Sequence, residues 1–499
     1  MSVSQSPQAQ GTSTSTKGTN QSQDDFLRYY EGYADQYIDC MDNSPTTYHF
    51  VDHFRSVLDN NGFKGYKDKE HHDFSKPGLY YTIKDDLTVV AFIVGGKWAP
   101  EKGSIVVGTH VDSVTLKVNP RGLLRASKDG YELLGVAPYS GGLPQSILDR
   151  ELGLAGAVLV KGPDGKVQRK LISTGSKPIG IIPSIAEHFG ISLTPNPQTQ
   201  AVPIIGFGSN DLKPTQEEQA SPLYSQHPLS LIRLVSSLSN TPVSQILDLE
   251  LELVNVQKGA RGGLSHEFVY ASNLDDRLCS FGAMYALLEF SKRFYTDKNI
   301  EDYDGLVGVY FTNNEEIGSN TRTGAGGGFL RDTLALVVAS RYPAKSKEYL
   351  AQLMTHTIVL SSDVTHALNP NYKDAYLEGH VALPNTGPTV KIDVSQHVLT
   401  DAESVVFLEN IVGKLPGIKL QTFHIRNDGR LGGTIGPIMS SSRRGINGAA
   451  LIIDVGLPIL AMHNARSIVG YKDIGMGVRF YKAAFEYWQE FRPVDHDAA

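Results

Sequence analysis

The chain has 499 residues, of which 40% are hydrophobic and 20% are charged, so it can bury large cores in two or three domains. Its formal net charge of −7 comes without the basic clustering that nucleic acid or an anionic membrane surface requires. The sequence has no apolar stretch of membrane-spanning length and no apolar signal region at its start, so we expect a soluble globular protein without membrane insertion.

The first part of the chain changes from polar to amphipathic. Residues 1–24 are mostly Ser, Thr, Gln and Gly, which predicts a disordered N-terminal segment. A helix is expected from about Asp25, and a second from about Thr47 to Asn61, with apolar residues along one face. Tyr80–Ile83 and Val89–Val94 then predict a β-hairpin.

The next apolar run carries the first candidate for chemistry. Ser104–Thr109 predicts a strand that leads directly into His110 and Asp112. Residues two apart in an extended segment point to the same side, so the carboxylate lies beside the imidazole or behind it. A carboxylate that orients a metal-binding histidine is one interpretation, and a surface His-x-Asp is the alternative.

From about Arg121 the pattern changes to short strands and polar loops. Leu154–Val160 and Lys166–Ile172 are strand-like, and one helix is predicted near Pro228–Ser239. We expect a β-rich domain inserted here, ending near Gly259.

Beyond the insertion, acidic residues repeatedly follow apolar runs. Asp275 opens a predicted helix, where a carboxylate is favoured in any case. Leu306–Phe311 predicts a buried strand that runs into Glu315 and Glu316. Two carboxylates at a strand end suggest metal binding or acid–base work, with a solvated helix start as the alternative.

Two further apolar runs end in possible metal ligands. Thr357–Leu360 is followed by Asp363, and Ala449–Val455 with Ile459–Met462 leads to His463. If these runs are neighbouring strands of one sheet, their polar ends converge on its carboxyl edge. Two imidazoles and three carboxylates suit two zinc ions with one bridging carboxylate, and a remaining glutamate could take a proton from the metal-bridging water.

Six motifs connect these residues to a known family. They are GTHVDSVTLKVNP (108–120), NLDDRLCSF (273–281), NNEEIGS (313–319), SSDVTHALNPNY (361–372), GGTIGPI (432–438) and DVGLPILAMHNAR (454–466). Over about residues 25–493 the chain resembles the M18 family of metallo-aminopeptidases, which includes aspartyl aminopeptidases and fungal vacuolar aminopeptidase I. NVQKG (255–259) and LDDRLCSF resemble the vacuolar branch most.

The resemblance implies an α/β fold and an assembly. A catalytic zinc-peptidase domain with a central mixed sheet is expected from residues 25–120 plus 259–499. It would be interrupted by an inserted β-rich dimerisation domain at 121–258. Members of the family form homo-oligomers, so a tetrahedral dodecamer with interior active sites is expected.

The resemblance also implies the role of each site residue. One zinc ion would be held by His110 and Asp363 and a second by Glu316 and His463, with Asp275 bridging them, Glu315 as general base and Asp112 orienting His110. The implied substrate contacts are Lys391, His366, Gly433, Thr434 and His188, the last reaching across the dimer into the neighbouring active site. The chain is thus expected to be a dinuclear zinc aminopeptidase that acts on peptides with a free N-terminus.

Substrate preference and location stay open at this level. Lys391 matches a lysine that faces acidic side chains in aspartyl aminopeptidases, but Val398 stands where those enzymes have a tyrosine and Asn369 where they have a histidine. Both acidic and neutral N-terminal residues are therefore candidates. From the resemblance to the vacuolar branch we expect the vacuole, reached from the cytosol without a signal peptide, or alternatively the cytoplasm. The only cysteines, Cys40 and Cys279, fit a reducing compartment or indifference to redox.

Two other kinds of protein share part of this pattern. A carboxypeptidase or N-deacylase could have the same two-metal layout, although the GGTIGPI and MHNAR motifs argue against it. A catalytically idle, self-assembling cargo protein would have no need of a complete ligand set.

Overall fold

The computed structural model describes residues 16–67, 71–119, 128–140, 145–191, 194–208, 212–296, 298–429 and 432–492. The helices in these ranges are α1 Thr16–Asn43, α2 Thr47–Asn60, α3 Gln216–Gln219, α4 Leu229–Ser239, α5 Leu274–Ser291, α6 Arg293–Thr296, α7 Phe329–Arg341, α8 Ser346–Thr355, α9 Ala402–Gly413, α10 Ile435–Ser441 and α11 Tyr471–Phe491. None of these helices has both the length and the apolar character that a membrane span needs.

The strands of the same ranges form several sheets. They are β1 Lys64–Lys67, β2 Gly78–Lys84, β3 Thr88–Val94, β4 Ser104–His110, β5 Thr115–Val118, β6 Tyr131–Leu133, β7 Val136–Tyr139, β8 Leu152–Lys161, β9 Val167–Ser173, β10 Ile204–Phe207, β11 Ile246–Asn255, β12 Ala260–Gly262, β13 Phe268–Ala271, β14 Leu306–Thr312, β15 Thr357–Ser362, β16 Thr365–His366, β17 Thr389–Lys391, β18 Gln421–Phe423, β19 Leu451–Gly456, β20 Pro458–Leu460 and β21 Ser467–Gly470.

A mixed sheet of nine strands forms the centre of the molecule. Its order is β1-β2-β3-β14-β4-β15-β19-β17-β18. The strands β14, β4, β15 and β19 are parallel neighbours, whereas β3 and β17 run antiparallel to the strands beside them in this block. The protein is therefore a mixed α/β protein, as expected.

Both faces of this sheet are covered, which is why its strands are apolar almost throughout. On β4, Ile105 and Val107 belong to the core under α1, α2, α5 and α11, while Val106 between them belongs to the core under α7 and α8. Successive side chains of a strand point to opposite faces, so alternate residues fill the two cores. The final helix buries Val478, Tyr481, Phe485 and Trp488, as its sequence predicts.

A second, antiparallel sheet has the order β7-β5-β11-β8-β9, and a separate strand pair joins β6 to β10. The apolar residues of this part of the chain form a separate hydrophobic core, whose first residue is Leu116 and whose last is Leu253. A third sheet has the order β12-β13-β21-β20-β16, and its strand β21 ends directly before the last helix.

The predicted elements agree with the structure except at two places. The predicted hairpin is the antiparallel pair β2–β3, and the strands expected in the inserted region are β8 and β9. The first helix begins at Thr16 and so takes in residues 16–24, which were expected to be disordered; residues 1–15 lie outside the described ranges. A helix extends easily once its later turns are packed, because each added residue gains a hydrogen bond.

The second difference concerns the strand before His463. The condition that all four polar-ended runs are strands of one sheet is met up to β19 but not by the segment directly before His463, because β20 belongs to the third sheet and pairs with β21 and β16. The central-sheet strand β19 ends at Gly456, and Pro458 starts a new strand in another sheet.

Candidate metal centre and active site

Three parallel strands bring the first group of polar residues together. Strand β4 lies between β14 and β15, with Thr312 opposite His110 and Ser361 opposite Gly108. Their carboxyl ends therefore meet at one edge of the sheet, as expected for α/β folds. His110 is the last residue of β4, and Asp363 comes directly after β15.

Two other residues reach this edge from different elements. Asp275 lies in the first turn of α5, with backbone angles that are not helical, so it is not a simple helix cap. His463 follows β20 of the third sheet. The site thus combines the central sheet, a helix start and a loop of a second sheet.

The carboxylate of Asp275 lies between the two imidazoles. Its Oδ1 atom is 3.1 Å from Nε2 of His110, and its Oδ2 atom is 3.1 Å from Nε2 of His463. A carboxylate with one oxygen toward each of two imidazoles has the arrangement needed to bridge two metal ions.

Two sets of possible ligand atoms share this carboxylate. The first consists of His110, Asp275 and Asp363, the second of Asp275, Glu316 and His463, and within each set the atoms lie within 4.8 Å of one another. Glu315 is in neither set, although its Oε2 is 3.9 Å from Nε2 of His110.

The charge balance of the cluster calls for cations. Burial raises the pKa of Glu315 to about 7 and that of Glu316 to about 8, and the negative charge of Asp275 adds to both shifts. The Oε1 atom of Glu316 is buried without a hydrogen-bond partner in the described part of the chain. Crowded carboxylates need protons or cations between them, and imidazole with carboxylate is the ligand chemistry of catalytic zinc. The residues therefore fit zinc.

Asp112 holds the two glutamates in place. Its Oδ1 accepts the N–H of Glu315 at 3.1 Å and its Oδ2 accepts the N–H of Glu316 at 3.2 Å. The ring nitrogen Nδ1 of His110 is 3.1 Å from the main-chain oxygen of Asp112 and 3.5 Å from its carboxylate. Asp112 thus faces His110 and also anchors the backbone of both glutamates.

Asp276, Tyr139 and Asn314 also support the site, and sequence reasoning did not single them out. Asp276 is fully buried and accepts the N–H groups of His110 at 3.3 Å and Val364 at 3.1 Å, so it ties the start of α5 to the ends of β4 and β15. The adjacent pair Asp275-Asp276 was the available signal for this residue.

A cavity of about 560 Å³ opens onto the metal-ligand cluster. The predicted substrate contacts His366, Lys391, Gly433 and Thr434 all line it, together with Val398, Phe423, Ile425 and Met462. Two of the polar contacts are already engaged. The Nζ of Lys391 lies 3.5 Å from Oδ2 of Asp363, and the Thr434 hydroxyl donates to Oδ1 of Asp454 at 2.6 Å.

The remaining predicted contact, His188, lies elsewhere on the subunit. It is exposed on a single 3-10 turn, Glu187–Phe189, and does not line the cavity described above. Within one subunit the structure therefore does not bring His188 to the site.

Comparison with known proteins supports the predicted family over almost the whole chain. The family described as Aminopeptidase I zinc metalloprotease (M18) matches residues 40–485. Vacuolar aminopeptidase 1 of Saccharomyces cerevisiae is 38% identical over 470 residues, which cover 92% of this chain and 89% of that protein. Aspartyl aminopeptidase of Aspergillus oryzae is 30% identical over 484 residues, covering 91% of this chain and 95% of that protein.

Solved structures agree with these relatives. Yeast aminopeptidase 1 has a TM-score of 0.82 at 36% identity, covering 93% of this chain and 98% of that chain. The Saccharomyces cerevisiae mApe1 dodecamer has a TM-score of 0.81 at 35% identity, with the same coverage of 93% and 98%. These matches favour an aminopeptidase over a carboxypeptidase or an N-deacylase. Because they extend over most of the sequence and include the whole ligand cluster, the chain belongs to the M18 family and is a zinc metallo-aminopeptidase.

Proposed function

We propose that this aminopeptidase holds one zinc ion with His110 and Asp363 and a second with Glu316 and His463, and that Asp275 bridges the two. The observation that carries the proposal is the Asp275 carboxylate, which lies 3.1 Å from an imidazole nitrogen on each side. When bound, zinc polarises the scissile carbonyl and makes water more acidic.

Glu315 is proposed as the general base. It adjoins the ligand cluster without belonging to either donor set, and its backbone is fixed by Asp112. Its carboxylate takes the proton of the attacking water and then delivers it to the amine that leaves. Because the family cleaves at the N-terminus of peptides, the peptide is proposed to enter the cavity with its free N-terminus toward the cluster.

Paired substitutions of the two glutamates test these roles. We expect Glu315→Gln to retain near-normal zinc content but to lower kcat by about 10²–10⁴-fold, the scale for a lost general base. We expect Glu316→Gln to lose zinc as well as activity, because it removes a ligand. Zinc per subunit and kcat are measured on both variants, and equal zinc loss in the two would contradict the assignment.

The cavity wall favours a neutral apolar N-terminal residue. Val398, Phe423, Ile425 and Met462 line it, whereas the one lysine of its described lining, Lys391, is buried against Asp363. An acidic side chain would lose its hydration here without gaining a free cation. Leucine anilide is therefore expected to exceed aspartate anilide in kcat/KM by at least about tenfold, which corresponds to roughly 1.4 kcal/mol.

Residues 121–258 are proposed to form the inserted dimerisation domain. The antiparallel sheet and its separate core support this, although its strands run from Thr115 to Asn255. Phe189 and Phe207 expose 63% and 72% of their surface, which suits an interface. His188, beside Phe189, would then reach the partner's active site and help to hold the substrate.

Assembly and location follow the relatives. Because a solved relative is a dodecamer, this chain is proposed to form a homododecamer as well. The name of vacuolar aminopeptidase 1 supports a vacuolar location, reached from the cytosol without a signal peptide, with the cytoplasm as the alternative. Both cysteines are free and buried, which agrees with either location.

A further inference from the structure

One tyrosine of the antiparallel sheet extends into the catalytic cluster. Tyr139 is the last residue of β7, and its hydroxyl lies 2.9 Å from Oδ2 of Asp112. The side-chain amide of Asn314, the residue before Glu315, donates to the same hydroxyl at 2.7 Å. Tyr139 therefore joins the carboxylate behind His110 to the turn that carries the glutamates.

Counting protons sets the direction of these bonds. An ionised Asp112 only accepts, so the single phenolic proton of Tyr139 goes to that carboxylate. Asn314 must then present its NH₂ group to the phenol, which agrees with its carbonyl accepting the hydroxyls of Thr321 at 2.8 Å and Thr323 at 3.1 Å. Burial raises the pKa of the Tyr139 phenol above its usual range, so the phenol keeps its proton and remains a donor at neutral pH.

The position of Tyr139 is built into the fold. Strand β7 pairs with β5, and Tyr139 stands opposite Thr115, three residues after Asp112. The ammonium group of Lys117 on the neighbouring strand lies 4.2 Å from the centre of the tyrosine ring, which further restrains it. The pairing of β7 with β5 thus places the tyrosine beside the segment that leaves the active site.

The carboxylate that Tyr139 contacts, that of Asp112, holds several groups of the site in position. Asp112 is only 2% exposed and uses the same oxygen, Oδ2, for Tyr139 and for the N–H of Glu316. Without the phenol, this buried charge loses a short charge-assisted bond and becomes free to turn. A turn of Asp112 would shift His110 and both glutamates together.

We propose that Tyr139 is a positioning residue of the zinc centre, acting through Asp112 on His110 and on the turn that holds Glu315 and Glu316. The inference rests on the proposed function, since it takes His110 and Glu316 as zinc ligands. It also connects the antiparallel sheet to catalysis, because a residue of that sheet completes the support of the metal centre.

The test is the substitution Tyr139→Phe, which removes only the hydroxyl. Loss of such an outer partner costs about 10–100-fold in metal affinity or activity, so we expect kcat to fall by that factor with KM changed less than about twofold. The zinc dissociation constant, measured by competition with a chelator, should rise in the same variant. Unchanged kcat and unchanged zinc affinity would overturn the proposal.

Tyr48→Phe is the matched control. The Tyr48 hydroxyl donates to Oε2 of Glu250 at 2.5 Å, and this bond joins helix α2 to strand β11 of the antiparallel sheet. If Tyr139 only braces the two parts, both variants lower the melting temperature alike and neither changes kcat, which would also overturn the proposal. Glu315→Gln, assayed in parallel, distinguishes a failure of the proposed function from a failure of the role of Tyr139. If Glu315→Gln retains kcat, the proposed function fails. If Glu315→Gln loses kcat and Tyr139→Phe does not, only the role of Tyr139 fails.

Discussion

At the scale of single residues, the ligand cluster is a balance of buried charges in which Lys391 has a defined place. Its ammonium group lies 3.5 Å from Asp363, and the two side chains are only 11% and 13% exposed. Its burial lowers the pKa of Lys391, but the charges of Asp363 and Asp454 outweigh this effect and raise it. Lys391 is therefore a permanent cation that compensates a proposed zinc ligand.

We expect Lys391→Met to lower kcat/KM by similar factors for leucine, aspartate and glutamate anilides, because it disturbs Asp363 and not a substrate side chain. Removal of one partner of a buried pair also lowers the free energy of unfolding by about 3–5 kcal/mol, which denaturant titration measures. Lys414→Met is the control, since its pair with Glu490 is 37% and 51% exposed and contributes at most about 1 kcal/mol. A loss confined to the acidic substrates would instead mean that Lys391 binds an acidic N-terminal residue.

At the scale of elements, the start of α11 holds the approach to β17, the strand that carries Lys391. Asp473, in the first turn of α11, is fully buried. Its carboxylate accepts the N–H groups of Asn385 at 2.5 Å, Thr386 at 3.0 Å and Gly387 at 3.1 Å. A single side chain thus satisfies three donors of a segment that is distant in sequence.

We expect Asp473→Ala to lower the free energy of unfolding by about 3 kcal/mol, because buried N–H groups without an acceptor cost about 1–3 kcal/mol each and water will reach some of them. Asp401→Ala is the matched comparison. Asp401 caps its own helix α9 through the N–H of Ser404 at 2.8 Å, so its loss should cost about 1 kcal/mol. If denaturant titrations show that both variants lose the same free energy of unfolding, the hydrogen bonds between Asp473 and residues 385–387 contribute no more stability than an ordinary helix cap.

At the scale of the whole molecule, zinc and protons compete for the same groups. Burial raises the pKa of Glu315 and Glu316 from 4.5 to about 7 and about 8, and the bond to Asp275 raises that of His463 from 6.5 to about 9. Without zinc, each group binds its proton more tightly in the folded than in the unfolded state. These three groups therefore contribute stability to the metal-free protein that is lost as the pH rises through this range.

Zinc replaces these protons, so its stabilising effect is expected to grow with pH. We predict that a chelator lowers the melting temperature more at pH 8 than at pH 6. In Glu316→Gln, which lacks one of the raised carboxyl groups, the pH dependence of the chelated protein should be weaker. An equal effect of the chelator at both pH values would contradict this account of the cluster.

The assembly provides the second prediction at this scale. His188 is exposed and away from the site cavity of its own subunit, so its proposed role in substrate binding requires it to act in a neighbouring active site. His188→Ala and Glu315→Gln should each be nearly inactive alone. Co-expression should restore a fraction of wild-type activity, since a His188→Ala subunit keeps Glu315 and borrows His188 from its partner.

The control for this experiment is a mixture of the two variants purified separately, in which activity should stay low if subunits do not exchange between particles. Particles shown by affinity tags to contain both chains, yet without activity, would mean that His188 acts within its own subunit or has no role.

The sequence by itself determined most of the strands and which residues form the cluster of possible zinc ligands. The runs that became β4, β14 and β15 are apolar because helices cover both faces of the central sheet, and this pattern is local. The polar residues at the ends of these runs, such as His110 at the end of β4 and Asp363 directly after β15, could be recognised for the same reason: each ends a run that must be buried.

Only the tertiary structure decided how these residues meet. His463 arrives from β20 of another sheet, Tyr139 arrives from the antiparallel sheet, and Lys391 turns to Asp363, although nothing near these residues in sequence encodes those contacts. Residues far apart in the sequence, such as Asp275 and His463, meet according to strand order and crossovers, which arise when the whole chain buries its apolar surface. Local pattern therefore predicts which side chains carry the chemistry, and packing decides which of them touch.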